Sequence, residues 1–483
     1  MKRILYYIMF SVVILSCENF LDEEPTKSSA KKIETIGDLD KLMNALDYRY
    51  YAQPLYYSTD NNEMPLDIVA EVPTIFGPEP VQNYLFCKES NGASDACWNS
   101  RYETITTCNT VIDAIDNNSI TGSSELKNDI KYEAHFIRAM EYFNLALIYC
   151  LHPSESNMDE LGLPLRIHSD FEESLERATL QKTYDFIETE LEQALKLDIP
   201  ADRNWRGSKA AVRAFSARYW LYRGDYPKAK QYAQEALSLH SELVDYASAF
   251  TTYTDSYGTV YPMTNKYYWY TAQWLNFWKG QYMNRSIQNG WWKNIPSQEL
   301  LDLYSPEDKR YEILMVEDYM KRFNVVNTPS IGYVMGGNFG EIINGPNTAE
   351  MYLILAECHA RGGQIGDAMS NIEHVRIKRY DSESYEPLPL PANKKAAIEE
   401  VINERRREMP FSIRWYDIRR INVDPETDNI TITRKFYPIE AGVPQTDQEV
   451  IEYKIEPNSR LYARPLHFSV VELSKNQTKQ NTY

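Results

Sequence analysis

Two amphipathic stretches joined by a tight turn, within residues 207–239, constrain the fold more than any other part of this chain. The first stretch spaces its apolar residues by 4, 3 and 4 positions, at Ala210, Ala214, Ala217 and Leu221. The second spaces them by 3, 4 and 3 positions, at Tyr226, Ala229, Ala233 and Ala236. Each spacing places its residues on one face of a helix, and alanine lets two helices approach closely. We therefore predict a tightly packed helix pair that turns at Gly224 and Asp225.

A second stretch of the same kind lies far downstream, at residues 347–379. Ala356 and Ala368 are 12 positions apart and bracket two glycines, and the first pair has alanines with the same separation. This separation is typical of the small packing residues in a tetratricopeptide hairpin. One such hairpin cannot bury its own face, and the intervening chain is too long for a plain solenoid. The sequence therefore predicts a mostly α-helical fold, in which tetratricopeptide-like helix pairs form a scaffold that a large, irregular, loop-rich insertion interrupts.

Helical periodicity recurs along much of the chain outside the insertion. The segments that show it are residues 36–48, with Thr35 as the N-cap, and 96–116, 126–149, 180–197 and 393–409, the last ended by Pro410. Trp98 falls on the inner side of its helix and is predicted to be a core residue. Residues 50–88 carry five prolines and no clean period, which predicts a long aromatic loop. The final sixty residues predict short strands and extended chain.

The first seventeen residues have the pattern of a bacterial export signal. Lys2 and Arg3 provide a positive start, twelve mainly apolar residues follow, and Cys17 comes directly after Ser16. Twelve apolar residues are too few to span a bilayer. Residues 14–17 resemble the lipobox of bacterial lipoproteins, which predicts cleavage before Cys17 and lipid attachment to it. Residues 18–34 then form a polar tether, and an ordinary secretory signal with an incidental cysteine is the alternative.

Five cysteines remain once Cys17 is assigned to the lipid. Cys87 and Cys97 flank a polar loop and could form a disulfide in an oxidising compartment, which the sequence leaves open. Because five is odd, at least one thiol stays free. Cys108, Cys150 and Cys358 lie in helical patterns and are predicted to be core residues.

Residues 246–304 differ from the rest of the chain in composition. Tyrosine and tryptophan are interleaved there with Asn, Gln, Thr, Lys and Arg, and neither a helical nor a strand period fits throughout. One interpretation is that these rings pack the insertion onto the helices, as most buried aromatics do. The other is a binding surface, because Tyr and Trp beside polar side chains offer a wide contact area with hydrogen bonds at its rim. A sugar fits such a surface, since its C–H face lies on an aromatic ring and its hydroxyls bond to polar groups.

The charge and the motifs argue against several classes of function. A formal net charge of −18 argues against nucleic acid as a partner. Residues 336–340 are glycine-rich, but no lysine follows, so they are not a phosphate loop. Glu404 and Glu408 are one helical turn apart with three arginines between them, which favours a salt-bridged helix face over an acid/base pair. No catalytic residue, metal site or cofactor is predicted, although 69 acidic residues leave a two-carboxylate glycosidase open.

Five short segments and the chain's last residues together carry a family resemblance. In order they are Cys17-Glu18-Asn19-Phe20-Leu21-Asp22; residues 137–143 with Leu163-Pro164-Leu165; the turn at Gly224-Asp225-Tyr226; Ala349-Glu350-Met351-Tyr352-Leu353 with Ala356-Glu357; Glu404-Arg405 with residues 414–420; and the tail 480–483. Their order resembles the SusD/RagB lipoproteins of Bacteroidetes. Two departures from that family's pattern are Asn347, where an arginine is usual, and Ser412-Ile413, which replaces a Glu-Gly pair; both are expected to lie in scaffold helices.

The resemblance implies a nutrient-binding lipoprotein of the outer membrane that faces the cell surface and is not an enzyme. Its implied partner is a SusC-like TonB-dependent transporter, and its implied ligand is an oligo- or polysaccharide. Capture of oligopeptides is the alternative within the same architecture, and a surface glycosidase is the alternative of a different class.

The resemblance also implies one SusD-like domain at residues 35–483. Its parts are helical repeats (35–240), a ligand-face insertion (241–346), further helical repeats (347–420) and a C-terminal extended region (421–483). Ligand contacts are expected first at Trp291, in a run Asn289-Gly290-Trp291 that resembles a sugar-facing position, and then at Trp292, Trp278, Tyr282, Tyr84 and Tyr57.

Overall fold

The computed structural model describes residues 33–46, 54–88, 95–170, 172–200, 204–254, 258–264, 280–288, 293–334, 341–383 and 385–483. Over these ranges the fold is mostly helical, as predicted. The α-helices are α1 (Ile36–Ala45), α2 (Leu66–Glu71), α3 (Pro78–Tyr84), α4 (Ala96–Asp116), α5 (Ser124–Tyr149), α6 (Leu180–Ala194), α7 (Lys209–Tyr222), α8 (Tyr226–Leu239), α9 (Tyr246–Ala249), α10 (Gln298–Leu301), α11 (Lys309–Leu314), α12 (Thr348–Arg361), α13 (Ile365–Arg376), α14 (Lys394–Glu408), α15 (Arg414–Ile421) and α16 (Phe468–Leu473).

The described strands are short and pair two by two, always antiparallel. The pairs are β1 (Asn62–Glu63) with β7 (Ile295–Pro296), β2 (Leu161–Pro164) with β3 (Arg177–Thr179), β4 (Phe250–Thr254) with β5 (Val260–Thr264), β6 (Ser286–Gln288) with β10 (Glu341–Ile343), β8 (Met315–Glu317) with β9 (Ile331–Tyr333), β11 (Ile432–Phe436) with β14 (Ile451–Ile455), and β12 (Ile439–Glu440) with β13 (Val443–Pro444). The prediction of short strands near the C-terminus is confirmed by β11–β14.

Helices α7 and α8 form the first predicted helix pair, with Gly224 at the turn. Gly224 has a φ of 76°, a left-handed conformation that favours glycine. The side chains of Ser208 and Asp225 cap the two helices by accepting backbone N–H groups. The fully buried residues of α8 are its three alanines at the predicted positions, and α8 packs along α7. The spacing of small residues therefore predicted this packing correctly.

Helices α12 and α13 form the second predicted pair, in which Ala356 and Ala368 are fully buried. Helix α8 of the first pair packs directly on α12, and α14 packs on both α12 and α13. Helices α4, α5 and α6 pack side by side earlier in the chain. The two pairs are thus neighbours in space, and the insertion leaves and re-enters one continuous helical scaffold.

The predicted loop over residues 50–88 is wrong for its described part, residues 54–88. That part contains a 3₁₀ helix at Pro54–Ser58 and helices α2 and α3. Pro54 and Pro78 are first residues of their helices, and Pro65 is the N-cap of α2. Proline is tolerated there because the backbone N–H groups of a helix's first turn have no partner within the helix. The prolines therefore begin helices instead of excluding them.

Several local predictions are confirmed. Thr35 caps α1 in a reciprocal capping box with Asp38, although α1 ends at Ala45 and not at residue 48. Trp98 is only 8% exposed and packs edge-on against Tyr149. The thiols of Cys108, Cys150 and Cys358 are buried and free.

Arg310, on α11 of the insertion, is buried among carboxylates that come from the insertion itself and from scaffold helix α14. Its guanidinium donates to Asp308 at 2.7 and 2.9 Å, to Glu404 Oε1 at 2.7 Å and to Glu408 Oε2 at 3.0 Å. Glu404 and Glu408 belong to scaffold helix α14, and they also accept from Arg376, Arg379 and Arg407. We call these seven residues the Arg310 cluster. It joins the base of the insertion to α13 and α14. The predicted salt bridges of Glu404 and Glu408 are confirmed, and both glutamates lie in the interior.

A second buried network joins three scaffold helices. Glu357 of α12 accepts from Arg361 at 2.8 and 2.9 Å and from Arg420 of α15 at 2.5 and 2.7 Å. Asp417 of α15 accepts from Arg405 of α14 at 3.0 and 3.1 Å and from Arg420 at 2.8 Å. Burial would raise the pKa of Glu357, but Arg420 and Arg361 outweigh it and hold the pKa well below its usual value. The charged residues of the family-like segments are therefore part of the core.

We predict that Ala233→Leu destabilises the protein by about 1–3 kcal/mol, because α7 and α8 leave no room for a larger side chain. The control is Gln234→Leu, which adds the same side chain at an exposed position of α8. Urea unfolding followed by circular dichroism measures both variants. Equal midpoints for the two variants would contradict the close helix crossing.

Glu404→Gln is expected to destabilise the fold by about 3–5 kcal/mol, because it leaves three buried arginines sharing fewer negative charges. The matched control is Glu400→Gln, whose half-exposed carboxylate contacts Arg407 and should contribute less than about 1 kcal/mol. Denaturant titration of both variants at pH 7 tests the difference. Similar small effects would show that the Arg310 cluster is not essential.

Asp60 gives the fold a defined dependence on pH. Burial would raise its pKa, but Arg414 at 2.6 and 2.8 Å and Arg406 lower the pKa to about 2. A carboxylate with a depressed pKa stabilises the folded state above its unfolded pKa of about 3.9, and this stabilisation disappears as the pH falls to about 2. When the pH falls from 6 to 2, the free energy of unfolding should decrease in both proteins. The decrease should be about 2 kcal/mol larger for the parent protein than for Asp60→Asn. Parallel pH profiles would disprove the linkage.

Candidate functional site at the base of the insertion

The chain that follows residues 265–279 is fixed to the start of α12. Gly280 O accepts from Thr348 N at 2.8 Å and from Thr348 Oγ1 at 3.2 Å. Gln281 forms an antiparallel bridge with Asn347, whose side chain also caps α12. The insertion is thus anchored at the first turn of a scaffold helix.

The β6–β10 pair closes the base of the insertion a few residues later. Gly345 N donates to Arg285 O at 3.1 Å, and a Cβ on Gly345 would lie 1.8 Å from Met283 O. Only glycine permits this approach of the two backbones. Arg285 Nη1 donates to Leu46 O, at the C-terminal end of α1, at 3.2 Å. The base of the insertion therefore contacts both the N-terminal and the central helices.

The chain that follows residue 292 is anchored on another side. Lys293 Nζ donates to Ile75 O and lies 5.1 Å from the centre of the Phe323 ring. Burial lowers the pKa of Lys293. Asn294 O accepts from Tyr333 N at 2.9 Å, and β7 then pairs with β1. Residues on both sides of 289–292 are consequently held by hydrogen bonds to described parts of the fold.

A cavity of about 50 Å³ lies where the insertion meets α12 and the end of α14. Much of its wall is apolar or aromatic and includes Leu243, Val244, Tyr333, Ile342, Ile343 and Phe411. The polar part of its wall includes Gln281, Asn347 and Ser412, together with the Arg379–Glu408 pair. Apolar walls with a few convergent polar groups are typical of a site for a small ligand.

The charges on the cavity wall compensate each other. Arg379 donates to Glu408 at 2.5 and 2.9 Å and to Val244 O at 2.6 Å. The Tyr246 ring lies 4.3 Å from the Arg379 guanidinium, and burial raises the pKa of Tyr246 above its usual value. The tyrosine is therefore neutral at physiological pH, and the ion pair leaves the wall without net charge.

Three of the six predicted ligand residues, Trp291, Trp292 and Trp278, lie outside the described residues. The other three are described and buried. Tyr57 and Tyr84 are 4% and 5% exposed, and both belong to the second hydrophobic core beneath the insertion.

Arg434 lies beside both Tyr57 and Tyr84. Its guanidinium lies 3.7 Å from the centre of the Tyr84 ring and donates to the backbone carbonyls of both tyrosines. The Tyr57 ring packs on Tyr56 with a centroid separation of 4.2 Å. Through Arg434, the 3₁₀ helix that contains Tyr57 and the helix α3 that contains Tyr84 are joined to β11.

Tyr282 is buried as well. It is 1% exposed, and its hydroxyl donates to His240 O at 2.6 Å. Burial raises its pKa above the usual value for tyrosine. Tyr282 thus fixes the base of the insertion to the end of α8.

Sequence reasoning missed the polar residues of the cavity. Nothing in the local pattern distinguishes Gln281 from the other amides of the insertion. Asn347 and Ser412 were noted only as departures from the family's pattern, and both line the cavity. Asn347 is the N-cap of α12, and Ser412 lies between α14 and α15 instead of inside a helix. Those departures were the one available signal.

The described residues give few groups for catalysis. Burial would raise the pKa of Glu404, but Arg310, Arg407 and Arg376 hold that pKa well below its usual value. A general acid needs the opposite shift.

In the described ranges, no three His, Cys, Asp or Glu side chains converge as metal ligands. No disulfide joins Cys87 to Cys97. None of the described helices is both long and apolar enough to cross a membrane.

Two family models together match residues 19–483 of this chain. The family described as "Starch-binding associating with outer membrane" matches residues 19–221, and the SusD family matches residues 218–483. SusD-like protein P2 of Formosa agariphila is 24% identical over 387 residues, which cover 70% of this chain and 74% of that relative.

Solved structures share the fold. A SusD superfamily protein from Bacteroides thetaiotaomicron matches with a TM-score of 0.67 at 17% identity, over 93% of this chain and 100% of that one. A SusD-like carbohydrate binding protein from Bacteroides vulgatus matches with a TM-score of 0.63 at 18% identity, over 92% and 97%. Because the SusD family model spans more than half of the sequence and the fold agrees throughout, this chain belongs to the SusD family.

Proposed function

We propose that this protein is a carbohydrate-binding lipoprotein of the outer membrane, lipid-anchored through Cys17 and exposed at the cell surface. It captures an oligo- or polysaccharide and delivers it to a SusC-like TonB-dependent transporter. The role is binding and not catalysis. A modest affinity suits it, because a carrier must release its cargo.

One observation carries this proposal: the chain directly after each tryptophan-rich stretch is hydrogen-bonded to another described part of the fold. Gly280 follows Trp278 closely and is bonded to α12. Lys293 follows Trp292 directly and is bonded to Ile75 O. Ligand-binding aromatics act best when their supports are rigid, since less side-chain and loop entropy is lost on binding.

The chemistry of relatives supports a sugar over a peptide as the ligand. The family model that matches residues 19–221 is described as starch-binding, and one structural neighbour is named a carbohydrate binding protein. Both descriptions concern other proteins, and the same architecture suits an extended peptide. The binding experiment must therefore include both glycans and peptides.

We predict that the soluble chain from Glu18 onward binds at least one polysaccharide saturably in calorimetric titration against a glycan panel and a peptide digest. Trp291→Ala should weaken that binding at least about tenfold, or about 1.4 kcal/mol, by removing a stacking ring. Tyr84→Phe is the control, because a ring already covered by Arg434 should not matter to the ligand.

The panel separates the candidate functions. Heat from the peptide digest alone would replace sugar capture with peptide capture. Accumulation of shortened glycan products would indicate a glycosidase. Glycan binding that Trp291→Ala leaves unchanged would move the site away from residue 291, and no binding at all would contradict capture by the isolated protein.

A further inference from the structure

The cavity at the base of the insertion contains an acceptor to which no described residue donates. Gln281 is 6% exposed and lines the cavity. Its Oε1 is buried and accepts no hydrogen bond from the residues that the structure describes. An unsatisfied buried acceptor is unfavourable, and most such atoms in folded proteins are paired. The side chain of Gln281 is therefore suited to a ligand that brings a hydrogen-bond donor.

The charges on the cavity wall favour an uncharged ligand group that carries a hydrogen-bond donor. The guanidinium of Arg379 is paired with Glu408, so the described wall offers no uncompensated charge to an ion. Ionised carboxylates and phosphates also lack the proton that Gln281 Oε1 requires. A hydroxyl or an amide N–H on an uncharged molecule remains.

The volume of the cavity and its apolar walls further limit which chemical group can bind there. A water molecule needs about 10–15 Å³ of such volume, so a cavity of about 50 Å³ accommodates a group of about three to five heavy atoms. Leu243, Ile342 and Phe411 give it an apolar side that a methyl group fills better than a hydroxyl does. The group thus combines an uncharged hydrogen-bond donor, a methyl and a small volume, and a secondary amide that carries a methyl group meets all three conditions.

We propose that this cavity binds the acetamido group of an N-acetylated amino sugar. Its N–H donates to Gln281 Oε1, its methyl packs on the apolar wall, and its carbonyl oxygen accepts from the donors that Asn347 and Ser412 carry. This inference deepens the proposed sugar capture and rests on it. It assigns the preference between acetylated and plain sugars to Gln281, a residue outside the tryptophan-rich stretches.

Saturation-transfer NMR on the soluble chain tests this with two matched pairs, N-acetylglucosamine with glucose and N-acetylgalactosamine with galactose. In at least one pair the acetylated sugar should bind at least about tenfold more tightly, and its acetyl methyl protons should receive the strongest saturation. Gln281→Met, which keeps the length but removes the acceptor, should abolish the preference. Gln298→Met makes the same change at an exposed glutamine on α10 and should preserve it.

A second variant tests the same cavity in case Gln281→Met does not fold. Ile343→Trp adds bulk at a partly exposed position of the cavity wall and should remove the preference while the melting temperature stays within a few degrees of the parent. Equal binding within both pairs, weak saturation of the acetyl methyl, or a preference that survives both variants would overturn the proposal. If glycans bind through Trp291 without preference for acetylation, the cavity assignment fails and sugar capture stands. If no glycan binds, both fail.

Discussion

The contact between Arg310 and the glutamates of α14 is the interaction on which the rest of this structure depends. Arg310 arrives with the insertion, whereas Glu404 and Glu408 belong to the scaffold, so their pairing sets the position of one relative to the other. Because the cluster is buried, removing one charge leaves its partners unpaired in a medium of low polarity. Glu408 also neutralises Arg379 on the wall of the cavity. One set of ion pairs therefore fixes the insertion's base and decides which charge a ligand meets there.

The residues that carry the family resemblance turn out to build the interior. Glu357, Arg405 and Arg420 are at most 5% exposed, and they join α12, α14 and α15 through hydrogen bonds. Each of these side chains needs a particular partner on another helix, so their spacing in the sequence follows from the packing of three helices. The resemblance therefore reports a shared scaffold. It carries little information about the ligand, because ligand contacts are expected in the stretches that lack periodicity.

The scaffold was predictable because its signals are local. Ala229, Ala233 and Ala236 alone specify the buried face of α8, and Asp225 specifies its start. The site was less predictable because burial depends on distant partners. Nothing near Tyr84 in the sequence announces that Arg434, 350 residues later, lies on its ring. For the same reason the prolines of residues 54–88 suggested a loop, although Pro54 and Pro78 begin helices that pack under the insertion.

Three buried tyrosines belong to the support of the insertion. Tyr57 and Tyr84 lie in the hydrophobic core beneath it and accept from Arg434 through their backbone carbonyls, and the Tyr282 hydroxyl fixes its base to His240 O. A fixed support lowers the entropy lost on binding, so exposed rings need fewer contacts to hold a sugar. Asn347 and Ser412 lie at the same base, where neutral side chains have replaced the charged residues expected from the resemblance. Substitutions at such positions change the chemistry of the cavity while the ion pairs of the scaffold stay the same, and ligand preference can therefore differ between relatives that share this fold.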